Sequence, residues 1–170
     1  METWRWVAGG AGAECLIILT DRSGGRHLYH QRSAGAAPRE ITSGEWEIAS
    51  FEVDAAKRQF YFVANKSYMP ERQLYRVALA GGAVQRISPE TAGTNQPVWS
   101  PDFRHVASQF SSDTMPPELT LIDTAKPGRA PQVTKSPQPE FYAPTWRNPG
   151  YFQFPRHIHG LHIPVIITVT

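Results

Sequence analysis

The sequence predicts an all-β chain, a partial β-propeller of about three four-stranded antiparallel blades truncated at both ends. Three observations carry this expectation. A segment repeats with a period of about 46 residues, its apolar runs are short and broken by turn residues, and no stretch sustains an apolar pattern at helical spacing.

The repeat is clearest where "RHLY" at Arg26–Tyr29 returns as "RQLY" at Arg72–Tyr75. Leu28 and Leu74 lie 46 positions apart, and so do Ile41 and Ile87. In a third copy Leu119 follows Leu74 by 45 positions, Val133 follows Ile87 by 46, and Thr134 stands where Thr42 and Ser88 stand. Leu28, Leu74 and Leu119 are therefore expected at one repeat position, buried in each copy. Tyr29 and Tyr75 are expected at a second position, and Trp46 and Trp99 near the strands that begin blades.

Each element follows from its residues. Cys15–Thr20 "CLIILT", Gln59–Ala64 "QFYFVA" and His105–Gln109 "HVASQ" are matched strands upstream of the three pairings. The middle copy is the most complete. Ala49–Val53, Gln59–Ala64, Gln73–Leu79 and Val84–Ser88 read as strands, separated by turns at 54–58 and 80–83 and by a longer loop at 65–72. Four consecutive strands are the content of one propeller blade. From Lys126 onward the chain holds eight of its fifteen prolines, which remove ladder donors. Residues 1–136 are thus expected to form the partial propeller. Residues 137–170 are expected to be a Pro-rich connector leading into the start of a further domain.

The 170 residues, 41% of them apolar, suffice for one modest core. Closed propellers have at least four blades, so about three leave open blade edges and predict self-association. A net charge of +2, with both signs interspersed, gives no basic stripe and predicts no nucleic-acid partner. The lone Cys15 excludes a disulfide framework and reads as a buried thiol. Met1–Val7 has no leader pattern, and the terminal "HIPVIITVT" is too short to span a bilayer, so no membrane partner is expected. The compartment is not legible.

The sequence offers no catalytic or substrate-binding residue. A hydrolase elbow needs Gly-x-Ser-x-Gly, which is missing; Ser23 in "DRSGG" sits in a hairpin turn. "GGAGAE" at Gly9–Glu14 lacks the third glycine of a dinucleotide fingerprint and precedes a strand, so no cofactor is expected. Glu45 and Glu47 flank Trp46 and share a face of an extended segment, where paired carboxylates can bind an amine. The plainer reading is a solvated strand start around a buried indole. His157, His159 and His162 form H-x-H-x-x-H, a weak metal candidate without a neighbouring carboxylate, or else polar residues around a turn at Gly160.

"TDRSGGRHLYH", "ITSGEWEI", "YFVANKSYMPERQLYRV" and "SPDFRHVASQFSSDTMPPELTLID", in that order between about Leu16 and Asp123, closely resemble later blades of the N-terminal propeller of the dipeptidyl peptidase IV family, the S9B prolyl-oligopeptidase-like serine peptidases. The resemblance implies a propeller lid over an α/β-hydrolase that removes dipeptides from N-termini, with peptide substrates and the hydrolase domain of a longer chain as partners. The catalytic triad and the adjacent glutamates that bind a substrate amine belong to regions outside this sequence. Glu45 and Glu47 match the family's Gly-x-Trp-Glu segment, so no substrate role transfers to them. Phe103 departs from the pattern by standing where Ser-Pro-Asp is usually followed by Gly, and "METWRWVAGGAGAE" matches poorly. The chain is therefore expected to be a non-catalytic propeller portion of such an enzyme. The alternatives are a stand-alone TolB- or WD40-like propeller that binds a protein or peptide, since "WSPD" at Trp99–Asp102 occurs there too, and a metal-dependent hydrolase fragment beginning at "HIHG".

Overall fold

A computed structural model describes residues 3–8, 14–33, 35–144, 149–155 and 162–167. The first sheet runs β1 (Thr3–Ala8), β2 (Glu14–Thr20), β3 (His27–Gln31) and β4 (Arg39–Glu40), paired in chain order. The second repeats the meander with β5 (Ile48–Asp54), β6 (Gln59–Ala64), β7 (Gln73–Ala78) and β8 (Gln85–Arg86). The third contains β9 (Thr94–Trp99), β10 (His105–Ser112) and β11 (Met115–Asp123), and an antiparallel bridge from Thr120 to Gln132 stands where β4 and β8 stand in the others. A 3-10 turn at Pro139–Tyr142 precedes a hairpin of β12 (Gly150–Pro155) and β13 (His162–Ile167). The described structure is thus all-β apart from that one turn, with successive antiparallel meanders that form propeller blades.

Two details differ from the sequence expectation. β1 is a full strand, pairing Thr3 with Leu19 through Ala8 with Glu14, although its "TWRWVA" matches no other blade. Alternation explains it, because Arg5 and Val7 face one side and Trp4 and Trp6 the other. The fourth strands are shorter than Val84–Ser88 suggested, since they lie at sheet edges and pair at two positions only. Prolines inside strands occupy tolerant places: Pro97 lies on edge strand β9, and Pro116 and Pro117 lie opposite the register shift between Phe110 and Ser112.

Two apolar layers hold the blades together. Ile17, Leu19 and Leu28 of the first sheet meet Phe51, Phe60, Phe62 and Tyr75 of the second. Tyr61, Val63, Leu74 and Ile87 of the second meet Val106 and Ile122 of the third, with Trp99 and Phe103 packed against them. Period-two alternation makes this possible, because β6 buries Phe60 and Phe62 on one face and Tyr61 and Val63 on the other. At the β9–β10 turn Phe103 has φ 52°, a left-handed conformation that glycine adopts without strain. Its ring stacks on Tyr61 at 5.3 Å, which offsets that strain.

Candidate functional site

The three repeat copies share one backbone geometry. The amides of Leu28, Leu74 and Leu119 donate to the hydroxyls of Thr42 (3.0 Å), Ser88 (3.2 Å) and Thr134 (2.9 Å). Their carbonyls accept from Ile41, Ile87 and Val133 at 2.8, 2.8 and 2.7 Å. The register read from the 46- and 45-residue steps therefore marks equivalent positions. Burial is not equivalent, which corrects one expectation: Leu28 and Leu74 are 0% exposed but Leu119 is 38% exposed. Leu28 and Leu74 point toward the blade that follows, and among the described residues the third blade is followed only by the two-stranded β12–β13 hairpin.

The residue before each leucine is a buried polar group, His27, Gln73 or Glu118, and each bonds the paired hydroxyl and the segment leaving the blade. His27 Nε2 lies 3.0 Å from the Gly44 carbonyl, so this nitrogen carries the proton and Nδ1 accepts from the Thr42 hydroxyl at 3.2 Å in the neutral ring. The Trp46 indole packs edge-on against the imidazole at 4.7 Å. Gly44 has φ 130°, and a Cβ there would lie 2.5 Å from Trp46 Nε1. Gln73 donates to the Thr91 and Gly93 carbonyls at 2.9 and 3.2 Å and accepts from Ser88 (2.8 Å) and Asn95 (3.2 Å). Asn95 in turn accepts from Ser108 in β10. Glu118 accepts from the Thr134 hydroxyl and, at 2.6 Å, from the Ser136 amide. These donors, Thr134 foremost, hold the Glu118 carboxyl below its ordinary pKa.

These clusters are structural latches, because their hydrogen-bonding capacity is used internally. Both ring nitrogens of His27 are engaged by these internal partners. Sequence reasoning missed the latches, although a polar residue before each repeat leucine and a hydroxyl at positions 42, 88 and 134 were legible signals. The other singled-out residues are placed as follows. Tyr29 and Tyr75 occupy matched positions and bond Glu40 at 3.0 Å and Ser67 at 2.6 Å. Trp46 is buried just before β5, stacked on Phe62, and Trp99 ends β9 against Tyr61 at 4.9 Å. Glu45 and Glu47 are exposed on either side of Trp46. Cys15 is buried and free, and burial pushes its thiol pKa up. His157 and His159 lie outside the described residues, as does the side chain of His162, which opens β13. Among the described residues no group of three or more His, Cys, Asp or Glu is placed to hold a metal.

A shallow groove of about 660 Å³ runs along β9 between the second and third blades, with Ser50, Arg72, Thr94, Asn95, Gln96 and Gln109 as its polar members. The first and second blades are also joined by Arg5, whose guanidinium bonds both carboxylate oxygens of Glu52 in β5 at 2.7 and 3.1 Å.

Comparison with known proteins accords with this architecture. A family profile described as dipeptidyl peptidase IV (DPP IV) N-terminal region matches residues 2–117. The probable dipeptidyl peptidase 4 of Neosartorya fischeri is 31% identical over 127 residues, covering 71% of this chain and 16% of the relative. That of Aspergillus fumigatus is 30% identical with the same shares. The crystal structure of Porphyromonas gingivalis dipeptidyl peptidase 4 superposes with a TM-score of 0.69 over 95% of this chain and 22% of that one, at 18% identity, a likeness of fold. The chain spans about 16% of the length of these curated relatives. It belongs to the family of dipeptidyl peptidase IV N-terminal regions.

Proposed function

We propose that the chain is a propeller portion of a dipeptidyl-peptidase-IV-like serine peptidase, with scaffolding and substrate gating as its role and no catalysis of its own. The observation that supports this best is the coincidence of family match and blade stacking, since residues 2–117 contain the whole of the first two sheets and most of the third. In this reading Leu28, Tyr29, Trp46, Leu74, Tyr75, Trp99 and Leu119 are structural positions with no catalytic or substrate-binding role. In this reading residues 1–136 are the partial propeller, and 137–170 are a Pro-rich connector and the start of an α/β-hydrolase domain whose remainder carries the serine nucleophile. The comparisons favour this reading over a stand-alone binding module.

The test is a graft. Residues 14–134 replace the aligned blades of the Aspergillus fumigatus relative, and the chimera is assayed on an Ala-Pro chromogenic substrate. Retained cleavage is expected, whereas a chimera that folds, takes a fluorophosphonate probe on its serine and still fails to turn over dipeptides would refute the reading. The 170-residue chain alone should label no serine with the same probe.

A further inference from the structure

Charges that alternate along the sequence are sorted in space by the meander. In each blade the first-to-second and third-to-fourth connections share one rim, and the second-to-third connection and the segment leaving the blade share the other. Cross-blade hydrogen bonds align the first rim along the stack. Arg39 donates to the Ala80 carbonyl at 3.2 Å, Lys57 to that of Asp102 at 2.7 Å and Arg76 to that of Thr124 at 3.0 Å. Exposed on this rim are Arg32 and Arg39 of the first blade, Lys57 and Arg58 of the second, and Arg104, Lys126 and Arg129 of the third. Among the described residues of these connections Asp102 is the one exposed carboxylate, and Glu40, which follows Arg39, turns back to the Tyr29 hydroxyl. The opposite rim has the reverse balance, with Asp21, Glu45, Glu47, Glu90 and Asp113 exposed beside Arg22 and Lys66. Among the described residues no carboxylate forms an ion pair with Arg32, Arg39, Arg58 or Arg129, and Arg104 and Lys126 hold theirs only at 3.6 and 3.8 Å. The His30 imidazole beside the rim is held below its ordinary pKa by burial and then by Arg32 and Arg39. Neighbouring blades do not cover this rim, because they stack on sheet faces. The segment after β11 runs antiparallel to it, from the Leu121–Pro131 bond to the Ser136–Glu118 bond, and so leaves from the opposite rim.

We propose that this basic rim binds an acidic polypeptide segment. The occupant follows from what the rim already holds. Asp102 is a carboxylate seated among these cations, its Oδ1 accepting from the Arg104 amide at 3.0 Å and the Ser100 hydroxyl at 2.7 Å, and these bonds lower its pKa. Arginine outnumbers lysine on the rim, and a guanidinium can pair both oxygens of one carboxylate, as Arg5 does with Glu52. Small exposed residues such as Ala55, Ala56, Ala80 and Gly82 build the turns between, so the cations stand over an open surface. An extended chain with carboxylates spaced along it meets several of them at once, and the summed field steers it to the rim. The proposal rests on the rim alone and is independent of the peptidase assignment.

Fluorescence anisotropy of a labelled octaglutamate peptide with the full chain tests it. Binding is expected at about 20 mM salt and its loss at about 300 mM, where exposed charges are screened within a few ångströms. Octalysine should not bind. The double variant Arg32→Glu with Arg129→Glu should weaken octaglutamate binding about tenfold. Lys66→Glu, at the opposite rim and beyond the screening length, should change it less than about twofold. Circular dichroism checks that the variants fold, and Arg58→Glu and Lys126→Glu replace any rim variant that does not. Octaglutamate that fails to bind at low salt, equal losses from the two rims, or tighter binding of a sulfated oligosaccharide of equal charge than of the peptide would each overturn the proposal.

Discussion

Truncating Leu74 to alanine tests blade stacking at its most enclosed point. The side chain is fully buried against Tyr61, Val63, Ile87, Val106 and Ile122. Its backbone is pinned on both sides, the amide to Ser88 and the carbonyl to Ile87 and Ser88, so the site has little freedom to collapse around the cavity. The cost should lie in the upper part of the range for such truncations, about 4 kcal/mol. For a chain of this size that corresponds to a melting point lower by about 10 °C. Leu119 supplies the internal control. It has the same backbone hydrogen bonds but is 38% exposed, and its truncation should cost under about 1 kcal/mol. Denaturant midpoints separate the two. Equal losses at Leu74 and Leu119, or no loss at Leu74, would refute the stacking.

Two turn residues with nearly the same left-handed backbone should respond in opposite directions to glycine. Arg58→Gly, at φ 53° on an exposed turn, should raise stability by about 0.5–1 kcal/mol, while Phe103→Gly should lower it by about 1–2 kcal/mol because its ring packs on Tyr61; thermal melts would show the sign. The Cys15 thiol, buried and with a raised pKa, should react with a neutral-pH disulfide reagent only as fast as the chain opens, and rapid stoichiometric labelling of the native protein would contradict its placement. Because the Glu118 pKa is depressed in the fold, its stabilising contribution is complete above its ordinary value of 4.5 and is lost as pH falls through the lowered one. Melting curves of wild type and Glu118→Gln should therefore converge on the acid side, and curves that stay parallel down to pH 3 would refute this.

Strand period and turn residues made most of the fold legible, because both are local. Gln59–Ala64 is a strand with the bounds its residues suggest, flanked by turns whose residues permit tight reversal. Residue spacing likewise located the matched positions of Leu28, Leu74 and Leu119. Spacing says nothing about what covers a position, and so it failed on the burial of Leu119, which depends on a neighbouring blade. β1 was hidden for a related reason: "TWRWVA" resembles no other first strand, and only its pairing with β2 reveals it. The latches were hidden because each joins groups 15 to 22 positions apart, as Gln73 does with Ser88 and Asn95. Glu45 and Glu47 show the opposite case, in which a suggestive pair proves to be an exposed frame around a buried indole.

The latches also explain how the blades diverge in sequence without losing register. In each, the hydroxyl at position 42, 88 or 134 accepts the amide of the repeat leucine, which requires only Ser or Thr. The preceding residue must reach that hydroxyl and one group on the outgoing segment. An imidazole, a carboxamide and a carboxylate all span this distance with different donor patterns. The outgoing segment supplies the complement: the Gly44 carbonyl for the His27 N–H, the Thr91 and Gly93 carbonyls for the Gln73 amide, and the Ser136 amide and hydroxyl for the Glu118 carboxylate. Changing the latch residue alone would set donor against donor or acceptor against acceptor in a buried place, at a cost of about 1–3 kcal/mol for each group left unpaired. The repeat is thus constrained in pairs. The latch residue differs in all three copies while its geometry stays constant, so the 46-residue period remains readable at Leu28 and Leu74 when the side chains beside them no longer match.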